Sequence, residues 1–421
     1  MTTPNVLDEL EWRGLVAHST DRDALRAALG EGSVRFYVGF DPTAPSLHMG
    51  HLVQILTAKR LQRAGHTPYA LVGGATGMIG DPKEAGERVM NSVETVGEWV
   101  GRVRRQIEPF LSFDGDNAAT MVNNLDWTAS LSTIDFLRDI GKHFPVNRML
   151  ARDVVRSRLE SGISYTEFSY VLLQSMDYLN LHREHGVSLQ FGGSDQWGNL
   201  TAGVELIRRT DGHRVHAIAT PLMTKADGTK YGKTEGGALW LDPEMLSPYA
   251  FHQFWLNVED EKVGELLRVF TFLSREEIED LEQQTAEKPF LRAGQKRLAD
   301  EVTGLVHGAE EVEHAKAAAA ALFGGGDLAA IRPDTLASAL REAGGTTLPA
   351  GQLPGILDLL VAADLAKSKG EARRTVAEGG AYLNNVRVED IELQPTEADL
   401  VAGSWLVLRR GKKNFAGVEV T

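Results

Sequence analysis

The apolar and polar positions of the first half of the chain alternate between short β-rich runs and longer segments with helical spacing. Residues 35–40 (RFYVGF) form a β-rich run that predicts a strand, and residues 52–65 carry apolar side chains near helical spacing up to a glycine. Further strands are predicted over 69–72 and 119–123. Because strands that alternate with helices favour parallel pairing, the predicted fold class is α/β with a Rossmann-like doubly wound parallel sheet.

The same alternation continues through the middle of the chain. The pattern predicts a helix after Thr166, a strand–loop–helix over 187–209 and a strand from Val215 that ends in a lysine-bearing loop. Residues 131–160 are predicted to be helical, with Arg148, Arg152 and Arg156 on one face because they are spaced i, i+4 and i+8. That basic face is either a solvated helix side or an RNA contact.

Beyond residue 240 the pattern becomes mostly helical up to about residue 323. Ser247 followed by Pro248 predicts a helix start, and Ser274 with Glu277 forms a capping-box signature. The predicted domains are a Rossmann-like domain at 1–240 with a helical insertion at 131–165, an α-helical domain at 241–325, a linker with one short helix at 326–352 and a small α+β domain at 353–421.

Composition limits the kinds of protein that this chain can be. Its 421 residues carry a net charge of -14 and no cysteine, which excludes disulfides and thiolate zinc sites. No apolar run approaches a membrane-spanning length, and the first residues lack a secretory apolar segment, so we expect a cytoplasmic protein without a membrane partner. Because the chain is acidic overall, any RNA contact must come from local basic patches.

The loop between the strand at 35–40 and the following helix carries two histidines, His48 and His51. A strand that feeds a helix through such a loop places backbone N–H groups and the positive helix end where an anion can sit. The histidines could then donate hydrogen bonds to phosphate oxygens. A metal pair or a capped helix start is the alternative, but no third metal ligand is evident nearby, so no metal site is predicted.

Three polar residues share one face of the helix that follows Thr166. Tyr170, Gln174 and Asp177 are spaced i, i+4 and i+7, and the helix is apolar elsewhere. Polar groups on a buried helix must be hydrogen-bonded. Their partners are either other protein groups or a small polar ligand, and the sequence leaves both interpretations open.

The stretch QFGGSDQWGN repeats the strand–loop–helix arrangement. Gly192 and Gly193 would let a ligand approach the backbone closely. Asp195 is placed to accept hydrogen bonds from ribose hydroxyls, and Gln196 to donate to a carboxylate or phosphate. The alternative is an ordinary turn with a capping aspartate.

A third candidate element is the glycine-rich loop TKADGTKYGKTEGG. It carries Lys225, Lys230 and Lys233, which would form a cationic arm suited to a polyphosphate whose charge shifts during a reaction. The alternative is a lysine-bearing hairpin, because Ala-Asp-Gly is a turn signal.

Taken together, these motifs resemble a known family. The segments YVGFDPTAPSLHMGHL, LVGGATGMIGDP, YTEFSYVLLQSMDYL, QFGGSDQWGNLTAG and KADGTKYGKT resemble, in order and near spelling, the bacterial-type tyrosyl-tRNA synthetases of class I. HMGH stands in place of the HIGH signature, and KYGKT departs from the generic KMSKS at three places. The resemblance implies ATP-dependent activation of L-tyrosine to tyrosyl-adenylate and transfer to tRNA(Tyr). It also implies ATP as a substrate with Mg²⁺, and a homodimer formed through 131–165.

The resemblance also implies a role for each matching residue. Tyr37 and Asp177 would bond the substrate phenol, Asp81, Tyr170 and Gln174 would hold its ammonium group, and Gln196 would complete the tyrosine site. The residues expected to contact ATP are Gly39, Asp41, Gly50, Gly193, Asp195 and Lys233. The residues expected to serve the phosphates and the departing pyrophosphate are Thr43, His48, His51, Lys83, Arg88, Lys230, Lys233 and Thr234.

The RNA-binding predictions rest on basic residues and on a second resemblance. Residues 353–421 resemble the small RNA-binding domain first seen in a ribosomal small-subunit protein, and 241–325 would bind the anticodon arm. The RNA-contact residues expected are Arg148, Arg152, Arg208, Arg209, Lys367, Lys369, Arg373 and Arg374. Further basic residues at 387, 409–410 and 412–413 follow, but acidic residues nearly balance the charge, so a solvated face is the alternative.

Other functions compete with this interpretation. A tryptophanyl enzyme would not need the Tyr37 and Asp177 pair, and nucleotidylyltransferases are shorter and lack the RNA-binding domains. A non-catalytic RNA-binding relative should have lost its phosphate-binding residues, whereas His48, His51 and Lys233 are present.

Overall fold

The structure, a computed structural model, describes residues 5–83, 86–88, 90–229, 231, 233–234, 237–324, 326–351, 353–411 and 414–421. The chain forms two compact units. The first contains Met1–Asp242 and Glu261–Glu282, and the second contains Pro243–Asp260 and Gln283–Thr421.

The first unit is built on a six-stranded sheet. Its strands are β1 (His18–Ser19), β2 (Arg35–Phe40), β3 (Thr67–Val72), β4 (Thr120–Asn123), β5 (Leu189–Gly193) and β6 (His216–Thr220), and a separate pair follows as β7 (Lys233–Thr234) and β8 (Gly237–Ala238). The sheet order is β1-β6-β5-β2-β3-β4, parallel except where β1 pairs with β6. The strand order reverses between β2 and β5. This confirms the predicted doubly wound sheet and places its ligand-binding edge at the carboxyl ends of these strands.

Helices surround this sheet. They are α1 (Val6–Trp12), α2 (Arg22–Glu31), α3 (Met49–Arg63), α4 (Thr76–Ile79), α5 (Val93–Ile107), α6 (Leu125–Thr128), α7 (Thr133–Asp135), α8 (Val146–Leu150), α9 (Asp153–Arg156), α10 (Tyr165–His185) and α11 (Trp197–Thr210). Local signals define the ends of α10: the Ser164 side chain accepts from the Glu167 N–H, and Gly186 ends the helix with φ 65°.

The predicted helix over 131–160 is wrong as a continuous element. The segment is broken into α7, a π-helical turn at Phe136–Ile140, a 3₁₀ turn at Gly141–His143, α8 and α9. Pro145 precedes α8, where its ring cannot continue a helix, and Arg152 precedes α9 in an extended conformation. The three arginines therefore do not form one helical face.

The remaining helices are α12 (Pro248–Leu256), α13 (Asp260–Phe270), α14 (Arg275–Glu287), α15 (Ala293–His307), α16 (Ala309–Gly324), α17 (Pro333–Ala343), α18 (Ile356–Ala362) and α19 (Lys369–Ala377). The predicted helix start at Ser247 is confirmed, since its hydroxyl accepts from the Ala250 N–H at 3.1 Å. The capping box is confirmed by reciprocal bonds between Ser274 and Glu277.

The end of α13 belongs to the first unit because two buried arginines bind its carbonyl groups. Arg13 donates to the carbonyls of Arg268 and Leu273, and Arg60 donates to those of Val269 and Thr271 at 2.8 and 2.6 Å. The predicted helical domain over 241–325 is therefore divided between the two units. Composition gave no sign of this division, because these bonds join residues more than 200 positions apart.

The second unit contains a five-stranded sheet. Its strands are β9 (Gly345–Leu348), β10 (Ala381–Leu383), β11 (Val386–Arg387), β12 (Trp405–Arg410) and β13 (Asn414–Val420), in the order β11-β10-β12-β13-β9. β9 pairs with β13 in parallel, whereas the other pairs are antiparallel. Residues 326–352 therefore do not form a linker: they contain α17 and β9, and β9 is an edge strand of this sheet.

None of the helices in the described part of the chain combines the length and apolar character needed to cross a bilayer.

Candidate active site

The carboxyl ends of the central strands bring several of the predicted residues together. Tyr37 lies on β2, Asp41 follows that strand, and Gly193 ends β5. The glycine-rich turn after β3 passes close to them, because a Cβ at Gly73 would lie only 2.1 Å from Asp41 Oδ1. Gly73 therefore permits a backbone approach that no side chain would allow.

Tyr37 places a buried hydroxyl at the base of this site. Its ring packs against Tyr178 with centroids 5.3 Å apart, and its Oη has no hydrogen-bond partner among the described residues. Burial, followed by the nearby charge of Asp177, raises the pKa of the Tyr37 phenol well above its ordinary value. The hydroxyl therefore stays protonated, and a polar ligand can supply the hydrogen-bond partner that it lacks.

Asp177 is a buried carboxylate held by two donors. Oδ1 accepts from Trp127 Nε1 at 2.9 Å, and Oδ2 accepts from Asn124 Nδ2 at 3.0 Å. Burial raises the pKa of Asp177 to about 7, although both hydrogen bonds act in the opposite direction. Each carboxylate oxygen keeps a second lone pair that could accept a further hydrogen bond.

A hydrogen-bonded chain links Asp177 to Asp41. Asn124 Nδ2 also donates to Thr76 Oγ1 at 2.9 Å, and Thr76 Oγ1 donates to Asp41 Oδ1 at 2.6 Å. The other oxygen of Asp41 accepts from Tyr170 Oη at 2.6 Å. Asp41, predicted to contact ATP, is thus placed beside the residues predicted to bind tyrosine, and burial raises its pKa.

Asp81 forms a second polar cluster. Its Oδ2 accepts from Gln196 Nε2 at 2.9 Å and its Oδ1 accepts from Asn199 Nδ2 at 3.2 Å, while burial raises its pKa. Gln196 thus donates to a carboxylate of the protein itself, and its predicted donation to a ligand stays a prediction. Arg152 Nη2 donates to Asn199 Oδ1. Arg152 thus lies behind the Asp81 cluster rather than on a basic surface stripe.

Two glutamine oxygens add further ligand-binding capacity. Gln174 Oε1 on α10 and Gln190 Oε1 on β5 are buried, and no described residue donates to either atom. Gln190 is paired with Tyr37 in the β2–β5 register. Buried polar atoms of folded proteins nearly always have partners, so these two acceptors and the Tyr37 hydroxyl are consistent with a site for a polar ligand.

The two histidines define the start of α3. His48 Nδ1 accepts from the Gly50 N–H at 3.0 Å, and His51 Nδ1 accepts from the His48 N–H at 3.2 Å. Burial, followed by proximity to His48, lowers the pKa of His51 well below its ordinary value. In the neutral imidazoles an accepting Nδ1 leaves the proton on Nε2, so both rings offer an Nε2–H donor. Because each Nδ1 is occupied, the pair suits an anion better than a metal ion.

The segment after the lysine-bearing loop runs beside this helix start. His48 forms an antiparallel bridge with Trp240, the Met49 N–H donates to the Leu239 carbonyl at 3.0 Å, and the Leu241 N–H donates to the Leu47 carbonyl at 2.9 Å. Strands β7, which contains Lys233 and Thr234, and β8 pair antiparallel, and β8 ends just before Leu239, so the pair is brought to the same edge as His48. Lys230 lies outside the described residues.

The residues predicted to bind the nucleoside and its phosphates lie around the same edge. Asp195 is exposed just after β5, and a Cβ at Gly193 would lie 2.4 Å from Asp195 Oδ1. Thr43 and Gly50 are exposed in the loop and the first turn of α3, and Gly39 is exposed on β2. These positions leave their side chains or backbone accessible to a ligand.

The loop after Asp81 carries the remaining predicted cations. Lys83 is exposed, whereas Arg88 is half-buried and its Nε donates to the Asp81 carbonyl at 2.7 Å. The Arg88 N–H donates to Glu167 Oε1 at 2.6 Å. Arg88 is thus placed at the border of the Asp81 cluster.

Several residues of the site escaped prediction from the sequence. They are Thr76, Asn124, Trp127, Glu167, Gln190 and Asn199. Helical spacing could have found Glu167, which lies three residues before Tyr170 on the same face of α10. Asn124 and Trp127 follow β4 at the same carboxyl edge of the sheet, which was the available signal for them.

The residues predicted to contact RNA are divided between paired and exposed positions. Arg208 and Arg209 both bond Glu205, and Arg209 also donates to the His143 carbonyl at 2.8 Å. Arg148 is exposed on α8. In the second unit, Lys367, Lys369, Arg373 and Arg374 are all exposed, and Lys369 forms an ion pair with Asp358. Lys412 and Lys413 lie outside the described residues.

Among the other basic residues of the second unit, Arg387 is exposed and Arg410 bonds Glu371 and the Leu365 carbonyl. Arg409 stacks its guanidinium over Tyr382, 4.1 Å from the ring centroid. The Nε of Arg409 is buried and has no hydrogen-bond partner in the described chain.

Two family models match the chain. The model of tRNA synthetases class I (W and Y) matches residues 30–324, and the model of the tyrosine–tRNA ligase SYY-like C-terminal domain matches residues 339–418. The first match contains every residue of the candidate site described above.

Curated relatives match over nearly the full length. The chain is 62% identical over 419 residues to a tyrosine–tRNA ligase of Streptomyces griseus, covering 99% of each chain. It is 58% identical over 414 residues to a tyrosine–tRNA ligase of Cutibacterium acnes, covering 98% of this chain and 99% of the relative. The solved structure of a C-terminally truncated mitochondrial tyrosyl-tRNA synthetase from Coccidioides posadasii is 31% identical, with a TM-score of 0.66 over 74% of this chain and 91% of that chain.

Proposed function

The chain belongs to the class I tRNA synthetases of the tryptophan and tyrosine group, and from this membership we propose that it activates L-tyrosine with ATP and transfers it to the 3′ end of tRNA(Tyr). The observation that carries the choice of tyrosine is the buried pair of Tyr37 and Asp177. The Tyr37 hydroxyl has no partner among the described residues, and Asp177 retains accepting lone pairs. The para-hydroxyl group of a tyrosine substrate would give both residues a hydrogen-bond partner.

The same pair explains the rejection of phenylalanine. Without a substrate hydroxyl, the buried Tyr37 and Asp177 groups would lose a partner, which is costly in a site from which water is excluded. Strong discrimination against phenylalanine is already the standard example of this effect in tyrosyl-tRNA synthetases, so its size is a known property of that family.

The substrate ammonium group is placed at the other end of the pocket. Asp81 carries the negative charge, and its two oxygens are oriented by Gln196 and Asn199. Tyr170 and the accepting oxygen of Gln174 complete the ammonium site. Asp41 holds the Tyr170 hydroxyl and so fixes the position of that ring.

The reaction needs no general base, because the tyrosine carboxylate is already an anionic nucleophile. It attacks the α-phosphorus of ATP, an O–P bond forms, and the bond to the pyrophosphate oxygen breaks. Catalysis then consists of positioning and of stabilising charge on the pentacoordinate phosphorus and the leaving group. The Nε2–H groups of His48 and His51, Thr43 and the backbone N–H groups at the start of α3 supply these donors.

The remaining contacts follow the family pattern. Gly50 lets the adenosine approach the backbone, and Gly193 and Asp195 bind its ribose. Gly39 lies on β2. Mg²⁺ enters with ATP, bound to its phosphate oxygens as part of the substrate. The residues assigned to the departing pyrophosphate are Lys83, Arg88, Lys230, Lys233 and Thr234.

In the second step, we expect tRNA to contact the second unit as well as the active site. Helices of the 241–325 region would bind the anticodon arm. Lys367 lies exposed just before α19, and Lys369, Arg373 and Arg374 lie exposed along that helix, where they suit phosphate contacts. tRNA and ATP are components of the cytoplasm, which is the location we assign.

We also propose a homodimer formed through 131–165. Six large apolar side chains are exposed in this segment: Ile134, Leu137, Val146, Leu150, Leu159 and Tyr165. Ile134 is 68% exposed and Val146 is 60% exposed. Exposed apolar side chains concentrated in one segment mark an association surface. Light scattering should report a dimer, and Val146→Lys should shift it toward the monomer; a monomer in the unaltered protein would refute this assignment.

The test of the proposed function is ATP–pyrophosphate exchange with each of the twenty amino acids in the absence of tRNA. We expect exchange with tyrosine alone, because only tyrosine completes the Tyr37 and Asp177 pair. Exchange with tryptophan in place of tyrosine would assign the chain to the tryptophanyl enzymes. Equal exchange with phenylalanine would refute the pocket assignment.

A further inference from the structure

A buried ion pair lies at the border of the active site, and the proposed reaction gives it no role. Arg158 and Glu167 are 3% and 2% exposed, and Arg158 Nη1 lies 3.1 Å from Glu167 Oε2. A pair this deeply buried is retained at little cost only when additional hydrogen bonds satisfy both partners. The hydrogen-bond partners of the two side chains show which segment the pair holds in place.

Three of those hydrogen bonds go to the backbone of one loop. Arg158 Nη1 donates to the carbonyls of Lys83 and Gly86 at 3.1 and 2.7 Å. Glu167 Oε1 accepts from the Arg88 N–H at 2.6 Å. The pair thus binds the backbone of three described residues of the loop, Lys83, Gly86 and Arg88, and none of these bonds uses the side chains of Lys83 or Arg88.

The loop reaches the active site from this anchor. Arg88 Nε donates to the Asp81 carbonyl at 2.7 Å, and Asp81 belongs to the cluster that contains Gln196 and Asn199. Gly80 has φ +81°, and a Cβ there would lie 2.8 Å from Arg88 Cδ. The Arg88 side chain is therefore packed against the turn that carries Asp81.

The anchor and the tyrosine pocket share one helix face. Glu167, Tyr170, Gln174 and Asp177 lie on α10 at positions i, i+3, i+7 and i+10, the spacing of a single stripe. The first residue of the stripe binds the loop, and the other three line the pocket. A single rigid helix therefore sets the positions of the tyrosine site and of the loop relative to each other.

We propose that the Arg158–Glu167 pair fixes the backbone of Lys83, Gly86 and Arg88 so that the side chains of Lys83 and Arg88 meet the pyrophosphate as it leaves ATP. Arg158 and Glu167 are positioning residues, because they act through the loop and touch no reacting atom. The proposal rests on the proposed function for its ligand, but the anchoring itself can be measured without any activity. A purely local role is the competing explanation, because Arg158 Nε also donates to the Gly162 carbonyl at 3.1 Å.

The first experiment measures amide hydrogen exchange in the full-length protein, in peptides that contain the Arg88 amide. Glu167→Ala removes the acceptor of that amide. Arg158→Lys keeps the charge but cannot bond the Gly162 carbonyl and the two loop carbonyls at once, as Nε and Nη1 of Arg158 do. We expect faster exchange in both variants and a return toward the original rate in Glu167→Gln, which keeps an acceptor. The control is Arg104→Lys, which alters an exposed pair with Glu108 on α5. Unchanged exchange in Arg158→Lys and Glu167→Ala would overturn the anchoring.

The second experiment measures pyrophosphate exchange and tyrosine binding in the same variants. We expect the rate of adenylate formation to fall about 10- to 100-fold, since a small misplacement of a positioned group costs that much. The KM for pyrophosphate should rise, whereas tyrosine affinity by equilibrium dialysis should stay within about twofold, because the anchor does not touch the pocket. Glu167→Gln should recover part of the rate.

The outcomes separate the inference from the function. No tyrosine-dependent exchange in the unaltered protein would refute the proposed function, while hydrogen exchange would still decide the anchoring. Full exchange activity in a variant whose loop has been released would overturn the positioning role. An equal loss of tyrosine affinity and pyrophosphate affinity would also overturn it, because that result indicates a general disturbance of α10. If Glu167→Ala does not fold, Arg158→Lys and Glu167→Gln decide the question.

Discussion

The pocket of the first unit and the basic residues of the second unit both depend on polar side chains, but they differ in burial and connection. In the pocket, Asp177 and Asp41 are joined through Asn124 and Thr76 by hydrogen bonds of 2.6 to 3.0 Å. On the second unit, Lys367 is exposed just before α19, and Arg373 and Arg374 are exposed within it. One region is a network, and the other is a set of separate charges.

This contrast sets how each region can recognise its ligand. A buried network fixes the direction of each donor and acceptor, so a ligand that lacks one group leaves a buried partner unsatisfied. Exposed cations are screened by salt and bind phosphates independently of sequence, so each contributes a small part of the affinity. We therefore expect the pocket to select the amino acid and the basic residues to strengthen the binding of RNA.

The most severe test of this contrast is a change at the centre of the network. Asp177→Asn removes the charged acceptor for the substrate phenol, and we expect tyrosine affinity to fall by about 100-fold, the upper range for a hydrogen bond to a charged group. Equilibrium dialysis with labelled tyrosine measures this. Glu184→Gln removes an exposed carboxylate from the same helix and should leave affinity unchanged. A loss below about threefold in Asp177→Asn would show that Asp177 does not bind the phenol.

The connection between the parts of the network is tested by Asn124→Ala. Asn124 is fully buried, accepts from the Ala75 N–H at 2.7 Å and donates to both Thr76 and Asp177. Its loss removes one hydrogen bond from each of three groups, the Ala75 N–H, Thr76 and Asp177, so we expect the free energy of unfolding to fall by about 1–3 kcal/mol. Urea denaturation with Asn180→Ala on α10 as the control measures the change. An unaltered stability would mean that water replaces the amide without cost.

The pH dependence of tyrosine binding tests the charge of Asp177. Burial raises its pKa to about 7, so the empty pocket holds an ionised carboxylate above pH 7 and a protonated one below it. Because the ionised form accepts the substrate phenol, affinity should fall by up to about tenfold per pH unit below 7. Titration of tyrosine binding on both sides of pH 7 measures this, and Asp177→Asn should show no change near pH 7.

The raised pKa of Asp177 also makes folding stability depend on pH, but in the direction opposite to that of tyrosine binding. An aspartate whose pKa is raised by folding favours the folded state while it is protonated, and this contribution is lost as the pH rises from about 4 to about 7. Stability from Asp177 therefore decreases over the range in which tyrosine binding improves. Opposite slopes over the same pH range in the two titrations would support one group as the cause of both.

The position of Arg152 in the structure differs from the role that the sequence predicts for it. The sequence predicts an RNA contact, whereas the structure places its guanidinium on Asn199 behind Asp81. Arg152→Ala should raise the KM for tyrosine about 3- to 10-fold, the range for one lost hydrogen bond, and leave the KM for tRNA unchanged. Steady-state aminoacylation measures both, with exposed Arg148→Ala for comparison. A change confined to the KM for tRNA would restore the RNA assignment.

The smallest expected effect is on the second unit. Arg373→Ala should raise the KM for tRNA about two- to threefold and reduce the slope of log affinity against log salt by about 1, while pyrophosphate exchange is unchanged. Filter binding at several salt concentrations measures the slope. Arg332→Ala is the control, because that cation is already paired with Glu311 and Asp334. An identical slope in both variants would refute the phosphate contact of Arg373.

Local features of this protein could be predicted well from its sequence. The strand at Arg35–Phe40, the helix at Tyr165–His185 and the helix start at Ser247 depend on neighbouring residues, on spacing and on capping groups. The face shared by Tyr170, Gln174 and Asp177 follows from helical periodicity alone. The segment over 131–160 was mispredicted because its arginine spacing suggested one helix, whereas Pro145 and tertiary contacts divide it.

The family and the parallel sheet could both be predicted from the order of residues, because motifs and periodicity depend on neighbouring positions. The folded chain was needed to show that Asn124 and Trp127 hold Asp177, that Arg152 faces Asn199, and that β9 joins β13. Those contacts join residues that are far apart in the chain, and a hydrogen bond between distant segments leaves no periodic pattern in either of them.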